Sequence, residues 1–189
     1  MKNLRYYHLF ESSIGKPTVT IEDFLQRVGL GRDPKFSRIV EWWKANRSDF
    51  KINYFTFSSP QPIAGVYLGT NEIAINERLP MPPHVKLFLA LHESRHCDQE
   101  AQGIIQPGYY DTVVRGDINS FLQSYRELER DANDFAIRCM TEMGFDMRFE
   151  EPRLRANEGA GQMVYAMMTN DIARFRPIDF IDLLKKQIL

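Results

Sequence analysis

The stretch FLALHESRHCDQE, from Phe88 to Glu100, places two histidines four residues apart and a glutamate directly after the first. On an α-helix, residues at this spacing share a face with Cβ atoms about 5–6 Å apart, so the imidazoles of His92 and His96 can both reach one tetrahedral zinc ion. Glu93 lies about 100° round the helix, outside the ligand shell but close to a water on the metal. The pattern H-E-x-x-H therefore predicts a zinc site with Glu93 as general base. The alternative is a helix that carries two surface or half-buried histidines.

The bulk properties predict a single globular domain over residues 1–189. The chain has 43% hydrophobic and 12% aromatic residues and a net charge of −1, so neither disorder nor a general attraction to nucleic acid is expected. It contains no run of about 18 apolar residues, so no membrane span is expected. The N-terminal residues lack the apolar segment of a secretory signal, and two cysteines are too few for a disulfide scaffold. We expect free thiols and a cytoplasmic protein; a secreted form whose signal has been removed is the alternative.

The order of local patterns predicts an α+β fold. Two N-terminal helices are expected, one capped near Thr20 and stopped by Gly29, the other opening with Asp33 as N-cap and Pro34 at its first position. Three segments rich in β-branched and aromatic residues follow, with the sequences KINYFTF, IAGVYLG and EIAINERL. The short connections between them favour a small three-stranded, mainly antiparallel sheet.

Two long helices are expected after the sheet. The prolines of PMPPH suit the first turn of a helix from about Pro83 to Gly103, which carries the two histidines. A connection broken by glycine and proline leads to a second helix from about Asp117 to Met143, which Gly144 ends. Further helical stretches are expected around Val164–Ala173 and Pro177–Ile188.

The second long helix supplies a candidate third ligand, which a catalytic zinc site needs in addition to the two histidines. Its apolar stripe continues over about seven turns, and Glu129 lies on that stripe, four residues after Tyr125. A buried carboxylate normally finds a cation or a metal. Asn133 shares this face and can hydrogen-bond a ligand from outside the coordination shell. Glu127 and Asp131 each lie about 200° from Glu129, so we expect both to point to solvent.

The alternative for Glu129 is an ion pair with an arginine from the C-terminal part of the chain. Four arginines are available there: Arg153, Arg155, Arg174 and Arg176. Such a pair would leave the two histidines without this third ligand.

These residues resemble a gluzincin-type zinc metallopeptidase. His92-Glu93-x-x-His96 is followed 33 residues later by Glu129-x-x-Ala132-Asn133-x-Phe135-Ala136, which is most similar to the ImmA/IrrE group. The resemblance covers about residues 51–144 and implies a minimal zincin-like core, with residues 1–50 and 145–189 as helical extensions. It also implies that the strand before the H-E-x-x-H helix lies at the edge of the sheet and holds extended substrate. The residues in that place are Glu72, Ile73, Ala74, Ile75 and Asn76.

The function expected from these features is zinc-dependent hydrolysis of peptide bonds in a protein or peptide substrate, by an endopeptidase rather than an exopeptidase. One Zn²⁺ per chain would be held by His92, His96 and Glu129. Glu93 would take the proton of the attacking water and pass it to the leaving amine. The oxyanion also needs a hydrogen-bond donor. The candidates for that role are Tyr109, Tyr110, Arg115 and Tyr165.

Two other classes of protein are compatible with the same residues. One is a non-catalytic or regulatory zinc-binding module on the same fold, with its cleft closed by the C-terminal part of the chain. The other is a structural or interaction protein in which the motif arose by chance. Zinc analysis separates this last class from the other two, and a Glu93→Gln variant separates the enzyme from the module.

Overall fold

The computed structural model describes residues 19–55, 65–69, 71–76, 80–105, 118–148 and 151–161. Helix α1 (Ile21–Val28) begins as predicted, because the Thr20 side chain accepts a hydrogen bond from the Asp23 amide at 3.1 Å. Gly29 follows the helix with a φ of 93°, a left-handed conformation that glycine adopts without steric cost. The predicted N-cap and C-terminal glycine of this helix are both confirmed.

Helix α2 (Phe36–Asn46) begins two residues later than predicted. Asp33 is not its N-cap: Oδ1 of Asp33 accepts a hydrogen bond from the Lys35 amide at 2.8 Å and so closes a turn ahead of the helix. The helix buries Ile39 and Trp43 against the core.

The described strands form one mixed sheet. Strands β1 (Lys51–Phe55), β2 (Gly65–Gly69) and β3 (Glu72–Asn76) lie in the order β1-β3-β2. β2 and β3 are antiparallel, whereas β1 and β3 are parallel, with Lys51 opposite Glu72. The prediction of a mainly antiparallel sheet is therefore wrong. The residue pattern indicates which segments are strands but not their order; β2 lies on the far side of β3, so β1 and β3 run in the same direction.

β3 is the central strand of this sheet and not an edge. Its backbone pairs with β1 on one side and with β2 on the other, so a substrate backbone cannot add to it. This corrects the expectation of substrate binding at Glu72, Ile73, Ala74, Ile75 and Asn76. The side chains of Ile73, Ala74 and Ile75 are fully buried, as is typical of a central strand.

The two long helices lie close to their predicted positions, at Pro83–Ala101 (α3) and Ile118–Glu142 (α4). α3 packs against α4 and against β2 and β3. Contacts on several sides explain why polar as well as apolar residues of α3 are buried. The buried polar side chains of this helix are His92, Glu93, Ser94, His96 and Gln99.

The hydrophobic core joins the N-terminal helices to the two long helices. Phe24 and Leu25 of α1 belong to the same buried cluster as Leu87 of α3 and Met140 of α4. The described part of the N-terminal segment is therefore integral to the core and not an extension of it. On α4 the predicted apolar stripe is confirmed, with these members buried: Phe121, Tyr125, Leu128, Ala132, Ala136, Cys139 and Met140.

A short C-terminal segment follows α4. Helix α5 (Glu151–Leu154) leads into a 3₁₀ turn (Arg155–Gly159), which packs on α4. The helices predicted around Val164–Ala173 and Pro177–Ile188 lie outside the described residues. Among the described helices, none has the length and apolar character that a membrane crossing requires.

Candidate metal site

Helix α3 presents two imidazoles on one buried face. His92 and His96 are 3% and 7% exposed. Their Nε2 atoms lie 3.0 Å apart, and the rings meet edge to face with centroids 4.7 Å apart. The spacing of four residues therefore brings the two nitrogen atoms together as predicted, and the alternative of two surface histidines is wrong.

Helix α4 brings a carboxylate to the same point. Oε2 of Glu129 lies 3.2 Å from Nε2 of His92, and Oε1 lies 3.7 Å from Nε2 of His96. The Glu129 side chain is 12% exposed. Contact between α3 and α4 places this acid over the histidine pair, as its position on the apolar stripe predicts.

The separations of these donor atoms fit a tetrahedral metal. Two donors at 2.0–2.1 Å from a zinc ion are ~3.3 Å apart at the tetrahedral angle. The observed separations of 3.0, 3.2 and 3.7 Å lie on both sides of that value. Within the described segments, His92, His96 and Glu129 are the group of acidic, histidine or cysteine side chains close enough to hold a metal ion. Three buried residues can therefore bind a metal here.

Glu129 carries the negative charge that suits a metal ligand. Burial by itself raises the pKa of the Glu129 carboxyl, but the hydrogen bond with His92 and the two adjacent imidazoles outweigh burial and hold the pKa below its ordinary value. The side chain is thus an ionised carboxylate at neutral pH, the form that binds a metal.

Asn157 contacts the carboxylate from the C-terminal segment. Its Nδ2 donates to Oε2 of Glu129 at 2.5 Å, and its Oδ1 accepts from Nδ2 of Asn133 at 2.8 Å. Asn133, predicted to hydrogen-bond a ligand, reaches Glu129 through Asn157, and it also donates to Oε1 of Glu158 at 3.1 Å. The sequence carries no signal for Asn157, because its partner lies 28 residues away.

Gln99 supports the second histidine. Its Oε1 lies 2.8 Å from Nδ1 of His96. Its Nε2 donates to the Leu128 carbonyl at 3.1 Å and to Oδ2 of Asp131 at 2.7 Å. The prediction overlooked Gln99, although its position three residues after His96 on the same helix was a usable signal.

The charged residues near Glu129 make contacts that helix geometry does not predict. The Asp131 side chain is 45% exposed, as predicted, but Arg95 Nε also donates to its Oδ2 at 2.8 Å. Burial by itself raises the pKa of Asp131, but hydrogen bonds from Arg95 and Gln99 outweigh it and lower the pKa. Of the arginines considered as partners of Glu129, Arg155 instead binds acids that include Glu151 at 2.9 Å, and Arg174 and Arg176 lie outside the described residues. Glu127 is exposed, as predicted.

The remaining predicted site residues fall into two groups. Glu93 is 9% exposed and follows His92 directly on α3, so it belongs to the same buried region. The four predicted oxyanion donors lie outside the described residues: Tyr109, Tyr110, Arg115 and Tyr165.

Comparisons with known proteins give no relative. No protein-family model matches the chain, and neither the curated proteins nor the solved structures provide a significant match. The resemblance to gluzincins and to the ImmA/IrrE group therefore stays a prediction from two short motifs.

Proposed function

We propose that this protein is a zinc-dependent peptidase in which His92, His96 and Glu129 hold the metal. The observation that carries the proposal is the convergence of three donor atoms from two helices, with separations of 3.0, 3.2 and 3.7 Å. Imidazole nitrogen favours zinc over magnesium or calcium. Two histidines and one carboxylate form a ligand set of catalytic zinc sites, in which the fourth position stays open.

The proposal assigns the proton transfers to Glu93. A zinc ion held by these three residues would supply Lewis-acid polarisation of the scissile carbonyl and would lower the pKa of a coordinated water to about 7. Glu93 accepts the proton of the attacking water and then donates it to the departing amine nitrogen. Because Glu93 and the two histidines belong to one rigid helix, the base keeps a fixed position relative to the metal ligands.

An extended substrate requires a free strand edge, and the proposal places it on β2. β3 is central, and the outer side of β1 carries a bridge between Val19 and Ile52. β2 forms the other edge of the described sheet and packs against α3, the helix of the two histidines. A peptide that adds to β2 by backbone hydrogen bonds would run close to that helix.

The two cysteines bear on the cellular compartment. Cys97 and Cys139 are free and buried, which fits a reducing environment. The proposal therefore includes a cytoplasmic location.

A Glu93→Gln variant tests the enzyme. Zinc-loaded full-length protein is incubated with fluorescein-labelled casein and with a mixed peptide library read by mass spectrometry. We expect Glu93→Gln to keep about one zinc per chain and to lose about 100-fold or more of the cleavage rate, the usual contribution of a general base. Cleavage at the wild-type rate in Glu93→Gln would contradict the proposal.

The matched control is Glu127→Gln, which makes the same chemical change on the exposed side of α4. This variant should keep both the zinc and the cleavage rate. Wild-type protein that binds zinc but cleaves neither probe would favour the alternative, a non-catalytic zinc-binding interaction module.

A further inference from the structure

The side-chain amide of Gln99 has one defined orientation. Gln99 is 1% exposed, and its Nε2 lies within hydrogen-bonding distance of the Leu128 carbonyl and the Asp131 carboxylate. Both partners are acceptors only, so the amide nitrogen must face them. A flipped amide would instead bring its oxygen within about 3 Å of two other acceptor oxygens. No hydrogen atom would lie between them, and such a contact is costly because the Gln99 side chain is buried.

This orientation determines which nitrogen of His96 carries the proton. Oε1 of Gln99 faces Nδ1 of His96 at 2.8 Å. Because Oε1 is an acceptor, Nδ1 must be the donor. In the neutral ring, Nε2 then carries the lone pair, and this is the atom that lies 3.0 Å from His92 Nε2 and 3.7 Å from Glu129 Oε1.

Gln99 also connects the two helices that supply the ligands. It belongs to α3, whereas Leu128 and Asp131 flank Glu129 on α4. Asp131 is held in turn by Arg95 of α3, whose Nε lies 2.8 Å from Oδ2. The hydrogen bonds of Gln99 therefore fix the His96 ring and the neighbourhood of Glu129 relative to each other.

We propose that Gln99 is a positioning residue that selects the Nδ1–H tautomer of His96 and thereby aims Nε2 at the metal. The inference rests on the metal site of the proposed function and adds a residue that sets the affinity of that site for zinc. Hydrogen-bond partners of ligating histidines commonly act in this way, and their loss weakens metal binding about 10–100-fold.

Two measurements on Gln99→Met test the role. This change keeps the length of the side chain and removes both the acceptor and the donor. In metal-free, ¹⁵N-labelled protein, long-range ¹⁵N–¹H correlation spectra should show the Nδ1–H form of His96 in wild type and a shift toward the Nε2–H form in the variant. The zinc dissociation constant, measured by competition with a chelator, should rise about 10–100-fold.

A matched control and a rescue variant separate positioning from general stability. Ser94→Ala removes another buried hydrogen bond of α3, from Ser94 Oγ to the Leu91 carbonyl, and should change neither measurement. Gln99→Glu keeps an acceptor for Nδ1–H while losing the donor to α4, so His96 should keep the wild-type tautomer even if the protein is less stable.

The outcomes are distinct. A wild-type tautomer in Gln99→Met with zinc affinity within about twofold of wild type overturns the role of Gln99. If Gln99→Met does not fold, an Nε2–H tautomer in Gln99→Glu overturns it instead. Failure of the wild-type protein to bind zinc counts against the proposed function, whereas the tautomer is read without metal and tests Gln99 alone.

Discussion

Oε2 of Glu129 lies 3.2 Å from Nε2 of His92, although the two residues belong to different helices. The same oxygen accepts a hydrogen bond from Asn157 at 2.5 Å. The carboxylate is thus held between a histidine of α3 and an amide of the C-terminal segment. Residues of α3, α4 and the C-terminal segment therefore meet at this candidate ligand.

Removal of the Asn157 amide should weaken metal binding. In Asn157→Ala, Glu129 loses the donor that orients its carboxylate, and we expect the zinc dissociation constant to rise about 10–100-fold. Chelator competition measures the change. Asn46→Ala is the control, because the Asn46 amide donates to the Trp42 carbonyl within α2, a helix that carries none of the three candidate ligands. Equal zinc affinity in Asn157→Ala and wild type would show that the contact with Glu129 has no role in binding.

The two thiols should be unreactive in the folded protein. Burial raises the pKa of both Cys97 and Cys139 to about 12, so almost no thiolate is present at pH 8. Reaction with Ellman's reagent should be slow in buffer and rapid for both thiols in denaturant. Fast labelling of the native protein would contradict the buried positions.

The same pKa shifts predict the sign of a stability change at high pH. The unfolded chain releases its thiol protons above about pH 8.5, whereas the folded chain holds them up to a pKa of about 12. Below about pH 8.5 the thiols are protonated in both states, so they do not change the free energy of unfolding with pH. Above that value the unfolded chain loses protons that the folded chain keeps, and the free energy of unfolding falls as the pH rises. In urea titrations at pH 7 and pH 10, a double Cys→Ala variant should lose less of its stability between the two pH values than wild type.

Truncation of Met140 tests the packing of the core. Met140 is fully buried in the cluster that joins α1, α2, the sheet and both long helices. Met140→Ala should lower the free energy of unfolding by about 2–5 kcal/mol, as large-to-small core substitutions do. Urea unfolding measures the change. Thr141→Ala, at the next and exposed position of α4, should stay within about 0.5 kcal/mol of wild type, and a similar loss in both variants would contradict the packing described.

Each candidate ligand was predictable from the geometry of its own helix, whereas the meeting of the two helix faces depends on the packing of α3 against α4. A spacing of four residues places His92 and His96 together on any α-helix. The apolar stripe of α4 then places Glu129 on the buried face. Neither step depends on the rest of the fold, and both agree with the structure.

The features that the sequence did not reveal depend on contacts between distant segments. β3 was expected at an edge, but its place between β1 and β2 follows from a chain path that alternation of side chains does not encode. Asp131 is half exposed, as its angle on the helix predicts, but the hydrogen bond from Arg95 of α3 was not predicted. Asn157 reaches Glu129 from a segment with no recognisable motif.

Anomalous X-ray diffraction at the zinc absorption edge, from crystals grown with zinc, decides whether the three side chains bind one ion. We predict a single anomalous peak with Nε2 of His92 and His96 at about 2.0–2.1 Å and a carboxylate oxygen of Glu129 at about 2.0–2.2 Å. Zinc bound elsewhere on the chain, or held by the histidines with Glu129 turned away, would contradict the proposed site.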